Sequence, residues 1–256
     1  MKSGRFKDKV KMFFKKFGLL LDETLFPTNF RCIFCDNDIP DYENKPFCES
    51  CEKEVEFNNE NKCLICSAPI ENEAMICDFC QKEKRYFKKA FCPFVYSGKV
   101  RSAILGYKDS NKRYLASVFA KFIAKEVSES EIRFDIITYV SLSDKKRRKR
   151  GFDQAELLAE ELGKCLKIPV KRLFVKNKDA KTQKFSNYKE RQQNMKGMYS
   201  LSGEKLKKTD TVLIVDDVIT TGATVNYCAG LCANKVKEVY ACAIARNRYK
   251  EKTDES

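Results

Sequence analysis

The segment VLIVDDVITTGAT, residues 212–224, carries the strongest signal for the fold of this chain. Its first four residues are apolar, which is typical of a strand buried on both faces, as in the centre of a parallel sheet. Two carboxylates, Asp216 and Asp217, stand at the end of this predicted strand. Open α/β sheets bind ligands at the carboxyl ends of strands, so the segment predicts an α/β domain with a ligand site here.

The loop after the acid pair is rich in hydroxyl groups and contains a glycine. Residues 225–234 continue as a helix-compatible segment, so the loop offers backbone N–H groups and a helix N-terminus to a phosphate. Adjacent carboxylates repel each other, and sugar hydroxyls or a magnesium ion would relieve that repulsion. The alternative is a solvated Asp-Asp turn before an ordinary helix cap. The candidate phosphate-binding residues are Thr220, Thr221, Gly222, Ala223 and Thr224.

A second predicted strand, residues 134–142, runs into six consecutive cations at 145–150. An amphipathic helix follows, with apolar residues between 155 and 166 on one face. A basic turn between a strand and a helix favours a site for pyrophosphate or a nucleic-acid backbone, with Tyr139 and Phe152 as aromatic neighbours that can stack on bases. The alternative is a solvated charged face. The candidate anion-binding residues are Arg148, Arg150 and Gly151.

Eight of the thirteen cysteines form four Cys-x-x-Cys pairs between residues 32 and 80. A two-residue gap lets a tight turn direct both thiolates at one ion, and a second pair shortly afterwards closes the tetrahedron. The spacing predicts two structural four-cysteine zinc sites made by consecutive pairs, although interleaved pairing has the same spacing. The alternative is eight unmetallated cysteines, buried or redox-active. The predicted ligands are Cys32, Cys35, Cys48, Cys51, Cys63, Cys66, Cys77 and Cys80.

A polar stretch between residues 176 and 199 has no clear apolar period. Structureless segments of this length inside a compact domain are uncommon and often act as functional lids, so we predict a lid here. The alternative is simple disorder. The candidate lid residues are Thr182, Gln183, Arg191 and Asn194.

The N-terminal residues 1–28 form a predicted basic amphipathic helix. This helix either docks on the core of the protein or lies on a membrane surface or partner. Lysines interrupt its apolar run, so it does not resemble a secretory signal, and no apolar stretch of about 18 residues predicts a transmembrane segment. We therefore expect a cytoplasmic protein, where thiols stay reduced and Cys-x-x-Cys pairs usually bind metal.

The charge and composition limit the classes of function. Lysine and arginine exceed aspartate and glutamate by 50 to 36, a formal charge of +14 that favours anionic partners such as nucleic acid or phosphorylated metabolites. The chain contains no histidine. General-base imidazole, catalytic Ser-His or Cys-His pairs and histidine metal ligands are therefore excluded.

The hydrophobic run, acid pair and Thr-Thr-Gly-x-Thr loop of residues 212–224 resemble the motif of the type I phosphoribosyltransferases. The resemblance implies that Asp216 and Asp217, the candidate catalytic pair, hold the ribose hydroxyls, and that the loop holds the 5′-phosphate. It implies phosphoribosyl pyrophosphate with magnesium as the ligand. Binding-only proteins share this loop, so turnover remains a separate question.

Two further segments resemble the ComF group: residues 140–155, and the pattern Thr182-Gln183 with Arg191-x-x-Asn194. Cysteine pairs placed ahead of a phosphoribosyltransferase domain are similar to the same group. The resemblance implies a role in natural competence, in which incoming single-stranded DNA is handled with the DNA-uptake machinery at the inner membrane. Asp153 stands where the group usually has asparagine, and it adds a negative charge beside the predicted pyrophosphate site.

The predicted architecture is an α/β fold of type I phosphoribosyltransferase class, a parallel sheet flanked by helices, preceded by a small cysteine-rich double zinc ribbon. We expect the amphipathic helix at 1–28, the ribbon at 29–84 and the phosphoribosyltransferase-type domain at 90–250, with separate cores for the last two. A plain metabolic phosphoribosyltransferase acting on a nucleobase or amine is the alternative function. A transcriptional regulator ranks last, because no helix-turn-helix signal is present.

We expect the purified protein to contain about two zinc ions per chain, because each group of four thiolates completes one tetrahedral site. Elemental analysis by mass spectrometry, referred to a protein concentration from amino-acid analysis, measures this ratio. A preparation made with zinc in the medium and no chelator that still contains no zinc would contradict the metal assignment.

Overall fold

The chain divides into two compact units, residues 1–53 and residues 54–256. The predicted N-terminal helix at 1–28 lies outside the residues that the structure, a computed structural model, describes. None of the helices within the described ranges has the length and apolar character needed to cross a bilayer. The described residues are 31–39, 46–59, 61–70, 75–109, 112–177 and 197–248.

The first zinc ribbon begins with a tight turn between residues 31 and 38, which form an antiparallel bridge. Within it, the amide of Cys32 donates to the carbonyl of Asn37 at 2.8 Å, and the amide of Asp36 donates to the carbonyl of Cys32 at 2.9 Å. Asp36 has a left-handed φ of 59°. Helix α1 (Glu49–Glu54) then carries Cys51 on its buried side.

The second zinc ribbon repeats this geometry within the second unit. Residues 62 and 69 form the antiparallel bridge, and the amide of Cys63 donates to the carbonyl of Ala68 at 2.8 Å. Ser67 takes the left-handed position with a φ of 55°, and helix α2 (Asp78–Lys82) follows. The two ribbons are therefore structural repeats, as their cysteine spacing predicts.

The central sheet of the second unit consists of parallel strands. Strand β6 pairs on one side with β3 and on the other with β7, which is equally long, and β7 pairs in turn with the short strands β1 and β2. A separate antiparallel pair is formed by β4 and β5. The strands are β1 (Ala90–Phe91), β2 (Phe94–Val95), β3 (Ile136–Tyr139), β4 (Phe174–Lys176), β5 (Tyr199–Leu201), β6 (Thr211–Ile219) and β7 (Glu238–Arg246).

Five helices that follow the second ribbon in the chain lie in the same unit as this sheet. Helix α4 packs against α6, and the apolar residues of the predicted amphipathic helix, among them Leu158, Ala159 and Leu162, form the buried face of α6. The helices are α3 (Gly98–Asp109), α4 (Leu115–Ser128), α5 (Asp144–Arg150), α6 (Gln154–Leu166) and α7 (Ala223–Cys232).

The second ribbon shares its hydrophobic core with the sheet. Cys66, Cys77 and Phe79 belong to the same buried cluster as Ala229 of α7 and Ala241 of β7. The cysteine spacing predicts a zinc module with a core of its own, and for this ribbon the structure differs, because its apolar side chains are covered by the sheet and α7 rather than by each other.

Buried hydrogen bonds fasten this ribbon to the edge of the sheet. The side-chain amide of Asn58, which is 1% exposed, donates to the carbonyls of Ser67 and Cys92 at 2.8 and 3.0 Å. The hydroxyl of Ser67 donates to the carbonyl of Ala90 in β1 at 2.6 Å. Such bonds satisfy backbone groups that burial would otherwise leave without water, so the ribbon and the strand fold as one structure.

Candidate functional site

The acid pair lies in the last part of β6, which continues past it to Ile219. The amide of Asp217 donates to Oδ1 of Asp216 at 2.8 Å, so the backbone of the pair holds the Asp216 carboxylate. Nζ of Lys108 lies 2.9 Å from Oδ2 of Asp217. One carboxylate of the pair is therefore matched by a lysine of α3, and the other is bonded by a backbone amide.

The pKa of Asp216 is changed by its surroundings. Burial raises the pKa of Asp216 well above its ordinary value, and the charge of Asp217 raises it further. The amide of Asp217 and the charge of Lys108 act in the opposite direction. A ligand that brings hydroxyl donors or a cation to this position would favour the ionised form of Asp216 and gain binding energy from it.

Helix α3 fixes the position of Lys108 through its contacts with α6. The fully buried Tyr107 donates its hydroxyl to the carbonyl of Gln154 at 2.7 Å, and the side-chain amide of Gln154 donates to the carbonyl of Lys108 at 3.2 Å. Lys108 is a site residue that sequence reasoning did not identify. It comes from a distant part of the chain, and no local motif marks it.

The loop after β6 has the geometry of an anion site. Gly222 has a φ of 75°, which favours glycine, and a Cβ there would lie 3.3 Å from Nη1 of Arg85. Helix α7 begins at Ala223, whose amide donates to Oγ1 of Thr221 at 3.3 Å. The first N–H groups of a helix have no partner within the helix, so they point toward the space in front of the loop. Thr220 is exposed, and Thr221 and Thr224 are half-buried.

The basic run forms a short helix rather than the predicted turn. Ser143 caps α5 by accepting from the amide of Lys146, and Gly151 ends the helix with a φ of 77°. Ser143 and Gly151 are ordinary signals for the start and the end of a helix. The prediction of a turn rested instead on the six adjacent cations between them. Arg148 is exposed and Arg150 is half-buried, so the predicted anion ligands lie around the end of α5.

The two aromatic residues near this run have different environments. Tyr139 is 4% exposed and donates its hydroxyl to Oε1 of Glu156 at 2.6 Å, so it has no free face to stack on a base, and that prediction is wrong. All four residues of β3 are buried, so the side chain of Tyr139 lies in the core. Phe152 is half-buried, with the guanidinium carbon of Arg113 4.7 Å from its ring centroid.

Asp153 serves as the N-cap of α6. Its carboxylate accepts from the amides of Leu142 at 2.6 Å, Ala155 at 3.1 Å and Glu156 at 3.3 Å, and the residue is 3% exposed. Burial raises the pKa of Asp153 while these backbone hydrogen bonds lower it. The extra negative charge predicted beside the pyrophosphate site is thus held by backbone donors of the helix and the preceding loop.

Lys176 is a second site residue that sequence reasoning missed. It lies at the end of β4, and its Nζ is 5.2 Å from the centroid of the Tyr199 ring. Burial lowers the pKa of Lys176, and the charge of Lys146 in α5 lowers it further, while Asp216 raises it. Lys176 is therefore a half-buried cation whose pKa is influenced by the charges of Lys146 and Asp216. The predicted lid residues, Thr182, Gln183, Arg191 and Asn194, lie outside the described residues.

The eight predicted metal ligands form two groups made by consecutive pairs. In each group the Sγ atoms lie within 4.8 Å of one another. Tetrahedral zinc with Zn–S bonds of about 2.3 Å separates sulfur atoms by about 3.8 Å. The observed separations of 3.8 Å for Cys35–Cys48 and 3.7 Å for Cys66–Cys77 fit this value. The groups are Cys32, Cys35, Cys48 and Cys51, and Cys63, Cys66, Cys77 and Cys80.

The thiols of the second group interact strongly. Hydrogen bonds from Cys63, Cys77 and Cys80 lower the pKa of Cys66, and the charge of Arg246 lowers it further. A thiolate at this position is therefore favoured even before a metal ion arrives, which suits a zinc ligand because zinc binds the thiolate form.

Comparison with protein families agrees with this geometry. A model described as the phosphoribosyl transferase domain matches residues 114–256, more than half of the chain. The chain belongs to the phosphoribosyl transferase domain family. A second model, described as the double zinc ribbon domain, matches residues 21–81. The predicted phosphoribosyltransferase fold with an N-terminal double zinc ribbon is therefore confirmed.

The chain is also similar to curated relatives of this domain arrangement. Competence protein F of Haemophilus influenzae is 29% identical over 85% of this chain and 97% of its own length. Competence protein ComFC of Streptococcus pneumoniae is 27% identical, and DNA utilization protein YhgH of Escherichia coli is 25% identical, each over 70% of this chain and 77% and 80% of their own lengths. These relatives confirm the resemblance to the ComF group.

We expect the replacement Asp216→Asn to stabilise the ligand-free phosphoribosyl transferase domain at neutral pH. A carboxyl whose folded-state pKa is raised stabilises the protein below its unfolded pKa, and that stability is lost as the pH rises through the folded value. The variant should therefore match wild type near pH 4 and exceed it at neutral pH, by roughly 2–4 °C in melting midpoint for each kcal/mol of relieved repulsion.

Thermal unfolding across this pH range measures the difference, with Glu204→Gln as an exposed control. Asp217→Asn should act in the opposite direction, because it removes the 2.9 Å ion pair and leaves the half-buried Lys108 without its partner. A fall in the midpoint of Asp216→Asn at neutral pH would show that this carboxylate is structural.

Proposed function

We propose that this protein binds phosphoribosyl pyrophosphate with magnesium at the end of β6 and acts in natural competence, in contact with incoming single-stranded DNA. The observation that carries the proposal is the acid pair in β6, followed by the Gly222 loop and the N-terminus of α7. Vicinal ribose hydroxyls suit adjacent carboxylates, and a terminal phosphate suits a glycine loop that opens a helix.

The two halves of the ligand would lie on different elements. The 5′-phosphate would accept from backbone N–H groups of residues 220–224, at the start of α7. The pyrophosphate would face the cations at and after α5, where Arg148, Arg150 and Gly151 are the proposed contacts. Lys176 adds a half-buried charge on the same side.

Magnesium fits the oxygen donors of this site. It prefers carboxylate, phosphate and water oxygens and usually keeps several waters, so one or two carboxylates and a pyrophosphate are sufficient. Asp216, whose pKa is raised by burial and by its neighbour, is the carboxylate that would gain most from a nearby cation. When bound, the metal would neutralise the pyrophosphate, and Lys108 would keep Asp217 paired.

The role in competence rests on the relatives and on charge. Relatives with matching length are named competence protein and DNA utilization protein. The formal charge of +14 and the exposed cations of α5 supply the electrostatic attraction that single-stranded DNA requires. We propose a cytoplasmic location, peripheral to the inner membrane, where the DNA-uptake machinery delivers the strand.

The alternative function is a metabolic phosphoribosyltransferase that joins a nucleobase or amine to ribose 5-phosphate. The site offers orientation and charge stabilisation, and these carry most of the catalysis when pyrophosphate leaves an oxocarbenium-like centre. Pyrophosphate release measured across a panel of bases and amines separates the two functions. An acceptor-specific release would favour the metabolic enzyme, and ligand binding without release would favour the competence role.

We expect phosphoribosyl pyrophosphate with magnesium to raise the melting midpoint of wild type through linkage, and the double replacement Asp216→Asn, Asp217→Asn to abolish the shift. Hydrogen bonds donated by hydroxyl groups to charged carboxylates are worth roughly 1.5–3 kcal/mol each, so losing several should weaken binding by about a hundredfold or more. Calorimetry measures the affinity, and Glu204→Gln should bind as wild type does. A double variant that binds as tightly as wild type would remove the acid pair from the site.

We expect single-stranded DNA to bind tightly at low salt and to lose affinity as salt rises. Replacing Lys146 and Arg148 by alanine should reduce the slope of log K against log salt by roughly 1.4, which is about 0.7 for each phosphate contact. The matched control is Lys205→Ala with Lys235→Ala, exposed residues that precede β6 and β7 at the opposite end of the sheet. No binding at low salt, or an equal loss in the control, would contradict DNA contact at α5.

A further inference from the structure

Two arginines connect the second cysteine cluster to the phosphate loop. Arg246 ends β7 beside Ile219, the last residue of β6, and Arg85 lies in the segment that follows α2. Both bond the backbone of the loop with one part of the guanidinium and a cysteine of the cluster with another. Neither arginine lies within the phosphoribosyl transferase motif of residues 212–224.

Arg246 is a fully buried bridge. It is 1% exposed, its Nε donates to the carbonyl of Cys66 at 2.9 Å, and its Nη2 lies 3.5 Å from Sγ of Cys66. Its Nη1 donates to the carbonyl of Ile219 at 3.1 Å and also to the carbonyl of Thr220. One guanidinium thus binds the first cysteine turn of the second ribbon and the first residue of the phosphate loop.

Arg85 forms a second bridge on the other side of the loop. Its Nε donates to Sγ of Cys80 at 3.4 Å, and its Nη2 donates to the carbonyl of Thr221 at 3.2 Å. The guanidinium stacks over Phe79 of α2, 4.5 Å from the ring centroid. Its Nη1 is also the atom closest to the position that a Cβ on Gly222 would take, so this arginine forms the wall behind the loop.

Charge explains why arginines occupy these positions. A zinc ion with four thiolates carries about two net negative charges, and a buried charge of this kind is costly unless cations or donors compensate it. Arg85 and Arg246 supply two positive charges and direct N–H groups at Cys80 and Cys66. Outer hydrogen bonds of this type orient metal ligands, and here the same groups also hold carbonyls of the loop.

A third contact anchors the helix behind the loop to the same segment. Asn226 of α7 accepts from the amide of Tyr86 at 2.7 Å and donates to the carbonyl of Lys84 at 3.1 Å. Its side chain is buried. The first turn of α7, whose N–H groups face the phosphate site, is therefore attached to the chain immediately after the cysteine cluster.

We propose that Arg85 and Arg246 are positioning residues through which the metal-loaded second cysteine cluster holds the phosphate loop in its binding conformation. Metal loss at this cluster frees both guanidinium groups from their sulfur partners, so the loop loses its support and its affinity for a phosphorylated ribose falls. The cluster is thus a coupled part of the ligand site rather than a remote scaffold. The ligand itself rests on the proposed function, but the coupling of cluster and loop does not.

The experiment measures amide hydrogen exchange at residues 219–224 and the zinc content of the same protein. Amide exchange reports how firmly the loop is held, and it needs no ligand. In the holoprotein, Arg85→Met keeps the stem that packs on Phe79 and removes the donors to Cys80 and Thr221. We expect this variant to retain about two zinc ions and to exchange these amides about tenfold faster. Arg133→Met, an exposed arginine before β3, is the control for loss of one cation.

The metal side is tested with paired cysteine variants. Cys80→Ser should lose one zinc ion and accelerate exchange of the loop as Arg85→Met does. Cys51→Ser removes the ligand at the corresponding position of the first ribbon, in the other unit, and should lose one zinc ion with a much smaller effect on the loop. Equal effects of the two cysteine variants, or unchanged exchange in both Arg85→Met and Cys80→Ser, would overturn the proposal.

Ligand binding gives a reciprocal measurement in the same proteins. Coupling between two sites is reciprocal in binding free energy, so phosphoribosyl pyrophosphate with magnesium should raise the zinc affinity of wild type in an equilibrium competition with a chromogenic chelator. Arg85→Met should lose this increase together with about tenfold in affinity for the ligand. If wild type binds no phosphoribosyl pyrophosphate, the proposed function fails, and the exchange comparison still decides the coupling. If wild type binds it and its zinc affinity is unchanged, the coupling fails and the proposed function stands.

Discussion

The repulsion between two adjacent carboxylates at the end of a buried strand is the constraint around which the site is built. β6 is covered on both sides by β3 and β7, so Asp216 and Asp217 have little water to screen them. Lys108 neutralises one carboxylate at 2.9 Å, and the pKa of the other is raised by burial. Carboxyls with perturbed pKa values cluster at functional sites, which makes Asp216 the centre of the candidate site.

The cations around the acid pair come from three separate parts of the chain. Lys108 lies near the end of α3, Lys146 lies in α5, which follows β3, and Lys176 ends β4 of the separate antiparallel pair. Parallel strands place their carboxyl ends at one edge of a sheet, so the segments that follow β3 and β6 contribute to the same side of it. No single segment of the chain therefore contains both the acid pair and the cations that interact with it.

The sequence was sufficient for features whose signal is local. The acid pair with its loop and the four cysteine pairs each occupy a few consecutive residues, and the structure places the acid pair in β6 and brings the cysteines together in two groups of four. Lys108, Lys176, Arg85 and Arg246 were not identified, because single basic residues in a chain with 50 lysines and arginines carry no local signal. Their roles follow from strand register and helix packing, which connect residues more than a hundred positions apart, as for Arg85 with Thr221.

The place of the second ribbon changes what zinc does for the molecule. If both ribbons formed a separate module, metal binding would contribute free energy to that module alone. The second cluster instead shares a core with β7 and α7, and Asn58 and Ser67 join it to β1 and the chain that follows. Because a structural zinc site contributes its binding energy to whatever folds with it, a metal ion at this ribbon would stabilise the phosphoribosyl transferase domain itself.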